Sequence, residues 1–305
     1  MFRKHTRRAA KAAFAISTGV ALLLGGTASA ARQKPAALPT VTIGTKNFTE
    51  QYVLGQLYKQ ALEAKGYKVV YKENIGSSEL IDTALKSGKI NFYPEYTGVI
   101  VADLAKLPAP KTAAAAYAGA KKFEQGRGNT MFKPTPFYDS DSFGMLTSTA
   151  QKLGVKTIGD MKKVKSFSFA GYPECRTRIT CLLGLKQIYG LTQTKFVPLG
   201  SISVYTLLDQ GKITAGDVFS TDPQLISKKY TILTDTKHIF GFQNVAPVLS
   251  QKLATDGGVS FASVVNAVSA KLTIPAMIAM NKAVAIDKKS PADVASAFLA
   301  ANKLK

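Results

Sequence analysis

Aromatic residues at the mouths of predicted strands are the feature of this sequence best placed to do chemistry. In "NFYPEYTG", residues 91–98, Tyr93 and Tyr96 stand on either side of Pro94-Glu95, directly after a short apolar run. Proline ends strand pairing, so the third strand is expected to finish here. Tyr96, Phe143, Tyr205 and Phe219 all fall at or near strand ends or early in the helices that follow. Each alone reads as core. Brought together on two facing lobes they would form a box whose negative ring faces attract a cation without N–H donors, such as a quaternary ammonium. Tyr96 is assigned to that box; Tyr93, on the other side of the strand from Phe92, is assigned to packing.

Catalytic signatures are missing. Beyond residue 30 the chain holds one histidine, His238, and no H-E-x-x-H, nucleophile elbow or P-loop. Carboxylates are sparse and nothing in the sequence pairs two of them. No catalytic residue, metal site or cofactor is expected. Cys175 and Cys181, in "PECRTRITC", are the only cysteines. Their spacing does not fit C-x-x-C redox or zinc chemistry, and in an exported protein it reads as a disulfide holding Arg176 and Arg178 in a fixed loop.

Export is read from residues 1–30. Arg3, Lys4, Arg7, Arg8 and Lys11 precede an apolar run from Ala12 to Leu24, and Ala28-Ser29-Ala30 ends in a small-x-small cleavage pattern. The pattern is a signal peptide, with Arg7-Arg8 a weak match to a twin-arginine signal. No cysteine near the cleavage point offers a lipid anchor. The expected location is the periplasm or the outer face of the cytoplasmic membrane. The chain's formal charge is +21, and the five basic residues of the leader leave +16 for the remainder. The lysines are scattered, with no aromatic-interleaved basic motif, so a polyanionic envelope fits better than nucleic acid, which is not expected as a partner.

The elements that must position these residues follow from periodicity. "VTIGT" alternates as a strand, and the stripe Val53, Leu54, Leu57, Tyr58, Ala61, Leu62 marks a helix. Asn47 and Glu50 resemble a capping box at its start, and Gly66 a C-terminal cap. "YKVVYKE", a helix ending at Gly88, "KINFY" and a helix over "TGVIVADLAKL" complete a strand–helix series with short links, hence parallel strands with right-handed crossovers. Their carboxyl ends share one rim, which should carry Lys46-Asn47, Ser77-Ser78 and Tyr93 to Tyr96. A second series begins near Phe143, with strands "FGMLTS", "SFSFAG", "KFVPLG", "GDVFS" and "YTILTD". The chain then turns helical from "NVAPVLS" onward. The expectation is α/β, each lobe a mostly parallel sheet with flanking helices: residues 1–30 signal peptide, 31–40 linker, 41–142 plus 245–305 lobe 1, and 143–244 lobe 2.

"IGTKNFTEQYVLGQLYKQALEAKGYKV", "LKSGKINFYPEYTGV", "FSTDPQL" and "FQNVAPVLS" resemble the substrate-binding proteins of ABC importers for quaternary-amine osmoprotectants. The likeness runs from about residue 41 to 305. It implies a two-lobed periplasmic-binding-protein clamp (type II) that captures a quaternary amine such as glycine betaine, without chemistry, and delivers it to a membrane permease; the protein is expected to be a monomer. Choline, carnitine, ectoine or an amino acid is the alternative ligand, and polyanion binding the alternative class. The resemblance places Lys46 and Arg178 on the ligand carboxylate, Gln51 at the pocket and Tyr96 in the aromatic wall. Phe143 and Phe219 stand where further tyrosines are usual, Val99 replaces a threonine, and Gln243 stands where a cage tyrosine is expected. With Lys46 and Arg178 so placed, zwitterionic betaines should bind better than choline.

Overall fold

The computed structural model describes residues 37–305; the signal-peptide reading and residues 31–36 of the linker lie outside them. The chain runs β1 (Val41–Lys46), α1 (Thr49–Glu63), β2 (Val69–Gly76), α2 (Ser78–Lys86) and β3 (Phe92–Tyr96). A turn of helix, α3 (Thr97–Val99), continues as a π-helix over Ile100–Leu104, followed by α4 (Ala113–Gln125) and β4 (Asn129–Met131). The second series is β5 (Asp141–Leu146), α5 (Thr147–Leu153), β6 (Phe167–Gly171), α6 (Leu182–Gln187), β7 (Thr194–Pro198), α7 (Val204–Asp209), β8 (Ala215–Phe219) and β9 (Tyr230–Ile232). The chain closes with β10 (Val245–Ser250), α8 (Gln251–Lys271), α9 (Ile274–Ala285) and α10 (Pro291–Ala301).

Two five-stranded sheets result, ordered β2-β1-β3-β10-β4 and β7-β6-β8-β5-β9. Both are mixed, where mostly parallel sheets were expected. β1 runs parallel to β2 and β3, while β10 runs antiparallel to β3 and β4. Likewise β6 is parallel to β7 and β8, while β5 is antiparallel to β8 and β9. The reason lies in the connections. A helical crossover within one sheet forces parallel pairing, but β5 and β10 arrive from the other sheet and escape that constraint.

β3 does not stop at its proline. It runs on to Tyr96, with Pro94 opposite Pro247 of β10. The bond from Thr97 N–H to Asn244 O, in the same register, makes Pro94–Pro247 a non-hydrogen-bonded pair. Neither missing N–H is then missed by this ladder. Tyr93 is fully buried, in a cluster with Ile81, Ile100 and Val248. Further differences are local. The capping box at α1 does not form, because Phe48 is the N-cap residue and Glu50 turns inward. "NVAPVLS" is a strand rather than a helix start, and β4 and α4 were not foreseen.

Gln243 shows how the return crossing is fastened. Its carboxamide is buried, accepting from Val99 N–H at 3.1 Å and donating to Phe240 O at 3.1 Å. Gly98 lies against it so closely that a Cβ there would stand 2.7 Å from Gln243 Oε1. Gln243 thus belongs to the crossing and does not line the interlobe cavity, contrary to the cage position expected for it. Replacing Gln243 by Ala strands the Val99 N–H and should cost about 1–3 kcal/mol of stability, read as a lower urea midpoint at unchanged slope.

Candidate functional site

The strand ends converge on a cavity of about 40 Å³ between the two sheets, and beside it opens a cleft of about 600 Å³. From the expected rim, Lys46, Asn47, Ser78 and Tyr96 line the cavity. The second sheet contributes Asp141, Asp217 and Phe219, and the loop after β6 contributes Tyr172 and Arg178.

Lys46 ends β1 with its ammonium buried. Nζ reaches Glu95 Oε1 at 2.5 Å and Ser78 Oγ at 3.1 Å, and stands 4.1 Å from the centre of the Tyr96 ring. Burial pulls its pKa down, opposed by Glu95. Gln51 is fully buried behind it, accepting from the Lys46 backbone N–H at 3.4 Å, and supports the wall without lining it. Tyr96 donates its hydroxyl to Glu50 Oε1 at 2.8 Å. Glu50 also accepts from Thr221 Oγ1 at 2.6 Å and Asn281 Nδ2 at 3.0 Å, so one carboxylate ties α1, β3 and α9 to the segment after β8.

Cys175 and Cys181 are joined as a disulfide. The loop it closes presents two contacts to the first sheet's helices. Arg178 holds both oxygens of Glu79 (3.0 and 3.1 Å), and Thr180 donates to Asp103 Oδ2 at 2.7 Å within the π-helix. Arg176 instead lies over Phe196, 5.3 Å from its ring centre. Both basic residues assigned to a ligand carboxylate therefore already hold a protein carboxylate, Lys46 through Glu95 and Arg178 through Glu79.

The aromatic wall has a different membership from the expected one. Phe48 stacks on Phe219 across the two halves at 5.6 Å with planes 3° apart, and neighbours Tyr96 at 6.2 Å. Tyr172 flanks Phe219 at 6.4 Å. Phe48 and Tyr172 were missed, although the rule that chose Tyr96 selects them too: Phe48 stands two residues past β1 and Tyr172 directly after β6. Phe143 is not in the wall. It is fully buried against Phe167 and Phe169. Because β5 is antiparallel, its beginning, Asp141, reaches the rim, and Phe143 lies two residues deeper. Tyr205 lines only the adjoining cleft, bonded to Asp222 at 2.8 Å and packed edge-on against Tyr230.

The carboxylates do pair, contrary to the sequence reading. Asp141 lies opposite Phe219 on the neighbouring strand, and Asp217 precedes Phe219 by two positions, so all three share one sheet face. Asp139, also at the cavity, accepts from Thr221 N–H at 3.0 Å. Burial raises Asp139 and Asp217 well above the carboxylate range; Glu50 adds to the first and Asp141 to the second.

A family described as the substrate binding domain of ABC-type glycine betaine transport systems matches residues 39–301. A glycine-betaine-binding protein of Pseudomonas aeruginosa is 30% identical over 272 residues, spanning 85% of this chain and 87% of that protein. A carnitine transport binding protein of Listeria monocytogenes is 25% identical over 272 residues, spanning 86% and 87%. Among solved structures, a glycine betaine/carnitine/choline ABC transporter protein superposes with a TM-score of 0.69 at 22% identity, over 87% of this chain and 99% of that one. That likeness establishes the two-lobed type II binding-protein fold.

Asp103 and Asp222 are each raised to about 6, chiefly by burial. An acid whose pKa is higher folded than unfolded destabilises the fold once ionised. The cost is complete above about pH 6 and disappears as pH falls toward the ordinary aspartate value of about 3.9. Each kcal/mol regained moves the melting temperature by about 2–4 °C in a chain of this size. Melting temperature of the ligand-free protein should therefore rise between pH 7.5 and pH 5, and the Asp103→Asn/Asp222→Asn double variant should flatten the profile. A native profile that falls over this interval would contradict the assignment.

Proposed function

The chain belongs to the family of substrate-binding domains of ABC-type glycine betaine transport systems, and we propose that it captures a quaternary ammonium solute of the betaine, choline and carnitine group between its lobes and hands it to a membrane permease. The observation that carries this reading is the row Tyr96, Phe48, Phe219 and Tyr172, whose members come from both halves of the chain and line the cavity between the sheets. Ring faces hold a trimethylammonium group by cation–π attraction where hydrogen bonds have no donor to use.

In this reading the lobes are residues 41–142 plus 245–305 and residues 143–244, hinged at the two crossings near 140 and 244. The solute separates Phe48 from Phe219, replacing ring–ring contact with ring–cation contact, and the lobes close over it through Arg178–Glu79, Thr180–Asp103 and Thr221–Glu50. No bond is made or broken. The protein works outside the cytoplasmic membrane as a monomer, with the solute and the permease as its partners.

Calorimetry with glycine betaine, choline, carnitine and tetramethylammonium tests this, with 3,3-dimethyl-1-butanol as the uncharged isostere of choline. At least one quaternary compound should bind and the isostere should not. Phe48→Ala and Phe219→Ala should each weaken the bound compound about tenfold, from the loss of roughly 1–2 kcal/mol of cation–π attraction, while the Tyr replacements retain most affinity. Full affinity in both Ala variants would remove the rings from the site.

A further inference from the structure

We propose that the cavity prefers a quaternary ammonium solute of net positive charge, of the choline kind, to a zwitterionic betaine, because Asp141 and Asp217 face it without a salt bridge while both basic residues in its wall are bound to other carboxylates. This deepens the reading of the cleft as a quaternary ammonium site and rests on it.

The argument is one of charge placement. Lys46 and Arg178 form salt bridges with Glu95 and Glu79, and their charges reach Asp141 from beyond salt-bridge distance. Among the described residues no lysine or arginine forms a salt bridge with Asp141 or Asp217. Asp217 is 5% exposed, lines the cavity, and has one oxygen, Oδ1, with no hydrogen-bond partner. Its other oxygen lies 3.6 Å from Cys181 Sγ, which as a disulfide sulfur has no proton to give. Such a group is unfavourable in an empty site and becomes favourable beside a cation.

The aromatic partner is adjacent. Asp141 is the cross-strand neighbour of Phe219, and Asp217 shares its face two residues away. An ammonium on the Phe219 ring therefore comes within reach of both carboxylates. In the empty cavity burial favours the protonated form of Asp217, and an arriving ammonium favours its ionised form. A ligand carboxylate carried with it would oppose that ionisation and could claim Lys46 or Arg178 only in competition with Glu95 or Glu79. The overall positive charge of the protein acts the other way, but its charges lie mostly on the solvated surface, where salt screens them within about 8 Å. Contacts inside the cleft are screened far less and decide the preference.

The test is calorimetry of the oxidised protein at fixed pH and ionic strength with choline, tetramethylammonium, glycine betaine and 3,3-dimethyl-1-butanol. Choline should bind at least about tenfold more tightly than glycine betaine, with tetramethylammonium also bound. Asp141→Asn with Asp217→Asn should shrink the choline–betaine ratio to about threefold or less. Should that double variant fail to fold, the partly exposed Asp141→Asn alone should reduce the ratio. Glycine betaine equal to or tighter than choline in the native protein would overturn the inference while leaving the quaternary ammonium reading intact. A ratio unmoved by the variants would also overturn it. Failure of every quaternary compound to bind would overturn the underlying reading, and this inference with it.

Discussion

The rim of the first lobe depends on one buried ammonium. Lys46 sits where β1 ends, and its charge is tolerable there only with compensation on several sides. Glu95 supplies the countercharge from β3, Ser78 a hydroxyl from the start of α2, and Tyr96 a ring face. The Lys46 backbone N–H is held by Gln51 of α1. Four elements are thereby registered around one residue before any ligand is considered. Removing the countercharge would leave a buried, unpaired ammonium, so Glu95 is as much part of the rim as Lys46.

The distribution of charge across the molecule has the same logic. The chain is strongly basic, with 40 Lys and Arg against 19 Asp and Glu. Its acids are nevertheless concentrated at the interlobe surface: Glu50, Glu79, Glu95, Asp103, Asp139, Asp141, Asp217 and Asp222 all meet there. Some bind the lobes to each other and some line the space between them. Net charge therefore describes how the surface meets its surroundings, while the cleft gathers acidic side chains that burial pushes toward the neutral form.

Most strands are legible in the sequence because alternation is a local property. The short β4 has three residues and too little pattern to detect. The site is legible where local rules suffice: Lys46 and Tyr96 stand at strand ends and do line the cavity, and the cysteine spacing signals the disulfide. It is not legible where strand direction matters. Reading β5 from Phe143 instead of Asp141 moves the assigned residue from the rim to the core. Nor does any local pattern reveal that Asp141 and Asp217, distant in sequence, become diagonal neighbours on adjacent strands, or that Lys46 and Arg178 have carboxylate partners from elsewhere in the chain. The family resemblance points Gln243 at a cage position, and its buried carboxamide serves the crossing instead.

The stacked rings of Phe48 and Phe219 carry a consequence for the economics of capture. With planes 3° apart and centres 5.6 Å apart, they leave no room for a cation between them. In the proposed reading this ring contact competes with the solute for the same ring faces. Apparent affinity then equals intrinsic affinity multiplied by the open fraction, so an empty closed form favoured tenfold would weaken binding about tenfold. Contacts such as Arg178–Glu79, Thr180–Asp103 and Thr221–Glu50 therefore act in two directions. In the proposed reading they would hold a loaded clamp shut and keep an empty one from loading. Where that balance lies sets the solute concentration below which the protein stays idle, a threshold that belongs to the lobe contacts as much as to the ligand site.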